Sequence, residues 1–107
     1  MTHITKGRDG WEALDRVPMA AGRILRITTH KWQNGGISSC ATSVKPAEDG
    51  LGYSFILFTD FYKTLKTDRT VRCTEKTISQ QHATVMAGIA DLLAQANAQY
   101  EAQEVAA

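Results

Sequence analysis

The side chains best suited to nucleophilic, acid–base or metal chemistry are Cys40 and Cys73, with His3, His30 and His82. The two thiols are far apart and form no C-x-x-C pair, and the histidines show no H-x-x-x-H spacing, so a zinc site has no local support. Both cysteines sit in stretches that read as strand, and in a reducing compartment buried free thiols are the expected state. A nucleophilic Cys/His pair needs partners that meet only in three dimensions, which spacing does not address. Phosphate loops, nucleophile elbows and metalloprotease helices are missing: there is no G-x-x-x-x-G-K, no G-x-S-x-G and no H-E-x-x-H. His82 falls about 20° from the centre of a helical stripe at 100° per residue. It should face the sheet, where a hydrogen-bonded core histidine is the expected role. The chain is therefore expected not to be an enzyme, with no catalytic residues, no cofactor and no metal; a small enzyme of unknown class is the second alternative.

A second set of residues suits binding. Arg26, His30 and Trp32 alternate along one stretch, and Lys63, Lys66, Arg69 and Arg72 cluster farther on, beside Phe61 and Tyr62. Rings among cations suit single-stranded nucleic acid, since each stacked base contributes ~1–3 kcal/mol and the cations neutralise phosphates. The net charge of +1 is far from the strongly basic signature of nucleic-acid binders. A partner protein is thus the first expectation and single-stranded nucleic acid the alternative.

These side chains depend on elements to position them. Asp9, with Glu12 three residues on, resembles a helix N-terminus, and Trp11, Leu14 and Val17 follow at helical spacing before Pro18. A short helix near 10–16, or else an extended segment, is expected within a lead-in over 1–22. Next, β-forming residues run from Arg23 to Trp32 and meet Gln33-Asn34-Gly35-Gly36, where Asn-Gly signals a hairpin. With Asn34 and Gly35 as a two-residue loop, Leu25 pairs with Val44, Ile27 with Thr42 and Thr29 with Cys40. Leu25, Ile27, Cys40 and Val44 then form the core face, and Arg26, Thr28, His30, Trp32 and Ser39 the opposite one. The stretch 53–62 is apolar on both sides, as a doubly covered strand is. A fourth strand is read at 70–73; alternatively Thr64 and Leu65 lengthen the strand before it.

Thr77 with Gln80 reads as a capping box opening one helix over 77–104. Its apolar stripe is Ile78, Val85, Met86, Ile89, Leu92, Leu93, Ala96 and Tyr100. Such a helix would span about 42 Å at 1.5 Å per residue, against roughly 35 Å for a domain of this size. That overhang, with Ala83, Ala87, Ala94 and Ala98 off the stripe and Gly88 allowing close approach, points to a homodimer formed through the helix.

At 107 residues and 11.7 kDa the chain fits a single domain, 1–107. Roughly 65% of its surface should be buried on folding, enough for a core without metal or disulfide staples. A composition 43% hydrophobic and 21% charged is globular. No run nears the ~18 apolar residues of a membrane span, and the N-terminus lacks a signal-peptide core, so a cytoplasmic protein without membrane contact is expected. The expected fold is α+β: a four-stranded, mostly antiparallel sheet over 23–74, packed on one long C-terminal helix. In element order alone this is similar to small single-strand-binding coactivator-type folds. The expected function is that of a non-catalytic binding or accessory protein, dimeric, gripping a partner with its open sheet face and hairpin tip.

Overall fold

Alternation, not helical spacing, governs the N-terminal segment: Trp11, Ala13, Asp15 and Val17 share one side, Glu12, Leu14 and Arg16 the other. In the computed structural model, which describes residues 2–32, 35–44 and 61–106, this segment is a hairpin and there is no helix at 10–16. Strand β1 (His3–Gly7) pairs antiparallel with β2 (Gly10–Pro18), Gly7 lying opposite Gly10 across the Arg8-Asp9 turn. A short 3-10 turn, Ala20–Gly22, leads into β3 (Ile24–Lys31), followed by β4 (Ile37–Val44) and β5 (Tyr62–Asp68). Neighbours in the chain are neighbours in the sheet, in the order β1-β2-β3-β4-β5, all antiparallel. The described sheet therefore has five strands, not four, because the lead-in supplies two of them.

The expected strand at 53–62 lies outside the described residues except for its last two positions. Residues 70–73 are not a strand. The Asp68 carboxylate accepts hydrogen bonds from Thr70 N at 2.9 Å and Thr70 Oγ1 at 2.6 Å, which turns the chain off the sheet. Thr64 and Leu65 lie within β5, which begins at Tyr62.

The β3–β4 register differs from the expected one by one residue. Leu25 pairs with Ser43, Ile27 with Ala41, Thr28 with Cys40 and Thr29 with Ser39. The turn is the cause. Trp32 N donates to Gly36 O and Gly35 N to Trp32 O, each at 3.0 Å, which is the bonding of a three-residue loop rather than a two-residue one. Gly35 and Gly36 both have positive φ, +93° and +88°. Ser39, Ala41 and Ser43 consequently point to the core side, while Cys40 and Val44 move to the opposite side.

The helical region also departs from expectation. Thr74 is the N-cap of α1 (Glu75–Met86), its hydroxyl accepting from Thr77 N while the Thr77 hydroxyl accepts from Thr74 N. The capping box thus sits three residues before the expected Thr77–Gln80 pair. At Gly88 the ladder tightens, Gly88 N bonding Val85 O at 3.1 Å, before Leu92 N to Gly88 O starts α2 (Ile89–Ala106). One helix becomes two, about 18 Å and 27 Å long.

Both helices cover the side of the sheet that carries Leu25, Ile27, Thr29, Ile37, Ser39, Ala41 and Ser43, all buried. Among the described residues the apolar interior forms two clusters. One cluster gathers Met19, Leu25, Ile27, Ala41, Phe61, Leu92 and Ala96; a smaller one gathers Ala13, Ile37 and Ile78, with Trp11, Val71 and Cys73 against it. Polar side chains from β2, β3, β4 and α1 are buried as well.

Candidate functional site

Those buried polar groups form a chain. Gln81 Nε2 donates to Ser39 Oγ at 2.9 Å, Ser39 Oγ lies 2.6 Å from Thr29 Oγ1, and Thr29 Oγ1 lies 2.8 Å from His82 Nδ1. His82 Nε2 is 2.8 Å from Asp15 Oδ2, which also accepts from Thr2 Oγ1 at 2.6 Å. Each donor has an acceptor when His82 carries its proton on Nε2 and the hydroxyls point toward Nδ1. Burial pushes the Asp15 carboxyl up, but the Thr2 and His82 hydrogen bonds outweigh it and hold Asp15 below the usual carboxylate range. Hydroxyl, imidazole and carboxylate in line have the types of a nucleophilic relay. Here Thr29, His82 and Asp15 are 0%, 1% and 4% exposed, so no substrate reaches the hydroxyl and the chain ties α1 to the sheet. His82 faces the sheet as its helical position indicated.

The opposite side of the sheet holds the second group. Arg26, Thr28 and His30 alternate on β3, with Cys40 on β4 opposite Thr28 and Tyr62 on β5 opposite Thr42. Thr28 Oγ1 lies 3.2 Å from Cys40 Sγ, and His30, on the same face, has its Nδ1 2.9 Å from Lys31 O. The neighbouring His30 chiefly, against burial, draws the Cys40 thiol below its ordinary range, with Thr28 and the charge of Arg26 adding to it. His30 is raised to about 9, first by Cys40 against the opposing effect of burial, then by the Lys31 carbonyl and Glu12. The one-residue change of register is what brings Cys40 beside His30. Tyr62 is 61% exposed, the most exposed large side chain with apolar surface among the described residues. Short residues of this face, Thr28, Ser38 and Thr42, are buried, and Arg26 and Trp32 are half-buried. Arg26 Nε and Trp32 Nε1 are shielded from solvent and find no acceptor among the described residues.

The residues proposed for binding do not form one surface. Arg26, His30 and Trp32 run along β3 and its turn. Lys63 and Lys66 lie by a cleft between β5 and the α1–α2 junction, where Lys63 Nζ donates to Gln95 Oε1 at 3.0 Å. Arg69 and Arg72 belong to the β5–α1 connection at the hairpin-turn end of the sheet. Phe61 is core, not platform. Sequence reasoning missed Asp15, which lies on the extended form of the lead-in that was the alternative to a helix, and Cys40, placed on the wrong face. It also left out Lys31, which lies beside Arg69 and Arg72.

Among the described residues no group of three or more His, Cys, Asp or Glu is arranged to hold a metal ion, and no helix is long and apolar enough to cross a membrane. Comparison with protein-family models, with curated proteins and with solved structures found no match to this chain.

Proposed function

We propose that this protein is a non-catalytic binding module that engages a partner protein through the sheet face turned away from its helices. The observation that carries this is Tyr62, 61% exposed on that face, together with partly exposed Arg26 and Trp32 on β3 and its turn. Trp, Tyr and Arg are also the residue types that dominate binding energy at protein interfaces, and Trp32, Tyr62 and Arg26 supply one of each. The sealed Thr29–His82–Asp15 chain supports the non-catalytic part.

A single-stranded nucleic acid is the second reading, favoured by Arg26, Trp32 and exposed Tyr62 on one face. Self-association through the helix loses its length argument at the Gly88 break and rests on exposed Ala83, Ala87, Ala94 and Ala98. Sedimentation at micromolar concentration decides it: twice the 11.7 kDa chain mass for a dimer.

The test is a photo-reactive phenylalanine analogue in place of Tyr62, with the same analogue at exposed Ala83 on α1 as control. A discrete protein adduct is expected from position 62 only. Trp32→Ala or Arg26→Ala should weaken it about tenfold or more, as loss of an interface anchor does. A nuclease-sensitive adduct would establish the second reading; equal adducts from both positions, or none, would remove the face from consideration.

A further inference from the structure

A cleft of about 450 Å³ opens at the turn end of the sheet, between the β1–β2 turn, the β3–β4 turn and the β5–α1 connection. That volume suits a small ligand. Lys31, Arg69 and Arg72 reach it from two different segments, and Asp9 is the one carboxylate among its described lining residues. All three cations are exposed and have no ion-pair partner among the described residues. Nearby Asp68 bonds Thr70 through Oδ1 and makes no ion pair with them.

The connection that carries the two arginines is held in place. Thr77 Oγ1 donates to Arg72 O at 2.5 Å, and Cys73 Sγ donates to Trp11 O at 3.4 Å. Glycines let the walls approach. Gly10, with φ +131°, would place a Cβ 3.1 Å from Cys73 Sγ, and Gly36 would place one 2.2 Å from Asp68 O. Two guanidinium forks and an ammonium around one small volume match the oxygens of a phosphate group, with bidentate donors from the arginines and a point charge from the lysine. A nucleic-acid track needs cations that continue along a groove. Here Lys63 and Lys66 line a separate cleft.

We propose that this cleft binds a small phosphate-bearing ligand, with Arg69, Arg72 and Lys31 holding the phosphate beside Gly10 and Gly36. The site is independent of the sheet face argued above. Titration calorimetry of the full chain with pyrophosphate at constant ionic strength tests it, alongside a ten-residue oligothymidylate. Saturable binding of one pyrophosphate per chain is expected. Arg69→Ala and Arg72→Ala should each weaken it about tenfold or more, the usual loss for a hydrogen bond to a charged group. Asp9→Asn should tighten it, and Lys63→Ala and Trp32→Ala should leave it unchanged. No saturable binding would overturn the proposal, as would an equal loss with Lys63→Ala. Oligothymidylate bound without pyrophosphate would overturn it too, by making this end a nucleic-acid surface.

Discussion

Cys40 and Cys73 have the same chemistry in the sequence and different surroundings in the fold. Cys73 donates to a backbone carbonyl, whereas Cys40 sits among Thr28, His30 and Arg26. Lowering of the Cys40 thiol and raising of His30 to about 9 leave a pH window in which the pair is thiolate and imidazolium. The stabilisation from His30 is complete below its unfolded value and is lost as pH rises through about 9. That from Cys40 is lost as pH falls through its lowered folded value. Iodoacetamide at neutral pH should therefore modify Cys40 well before Cys73, with site occupancy read by peptide mass spectrometry. His30→Ala should bring Cys40 back toward the rate of Cys73; equal rates in the unaltered chain would show that the pairing does not activate the thiol. Nothing in the spacing of residues 30 and 40 announced this pair, since their meeting depends on a turn of three residues rather than two.

At the scale of elements the turn decides most. Gly36 has φ +88°, and an added Cβ would meet Asp68 O at 2.2 Å and Arg69 Cα at 2.6 Å. Gly36→Ala should therefore cost at least ~1–3 kcal/mol for the backbone conformation alone, with the clash added. Gly88 is the contrast: its Cβ would meet only Val85 O at 3.7 Å, and its φ is not left-handed. Gly88→Ala should stabilise by about 0.5–1 kcal/mol. Urea unfolding of both variants measures this, and a destabilising Gly88→Ala would mean that the junction needs glycine for a reason other than space. The alternation of β3 was legible, with Leu25 and Ile27 inward and Arg26 and His30 outward. So was the helical stripe, because Ile78, Leu92 and Ala96 are buried where the periodicity placed them. The orientation of β4 was not. Its inward residues, Ser39 and Ser43, are polar, and burial suits them only because Gln81 bonds Ser39 while the Tyr100 hydroxyl bonds Ser43. Those partners come from distant parts of the chain, and local hydrophobicity carries no trace of them.

At the scale of the whole molecule, the described residues form two apolar clusters, and the helix break gives each of these a different principal helix. Ile78 of α1 belongs to the smaller cluster and Leu92 and Ala96 of α2 to the larger. The fastenings differ in kind. His82 and Gln81 fix α1 through buried bonds to β2, β3 and β4. Away from its apolar contacts and the Tyr100 hydroxyl, α2 is held near the surface: Asn97 accepts from Ala20 N, and the Arg23 guanidinium lies 4.2 Å over the Tyr100 ring. A molecule fastened in this way opens in parts, because surface ties release at lower free energy than a buried network. Amide hydrogen exchange under native conditions should accordingly show α2 protons trading with solvent before those of α1, with α1 and the central strands lost together at the global unfolding limit. Uniform protection across both helices would mean instead that the junction at Gly88 transmits every opening, and that the two clusters behave as one.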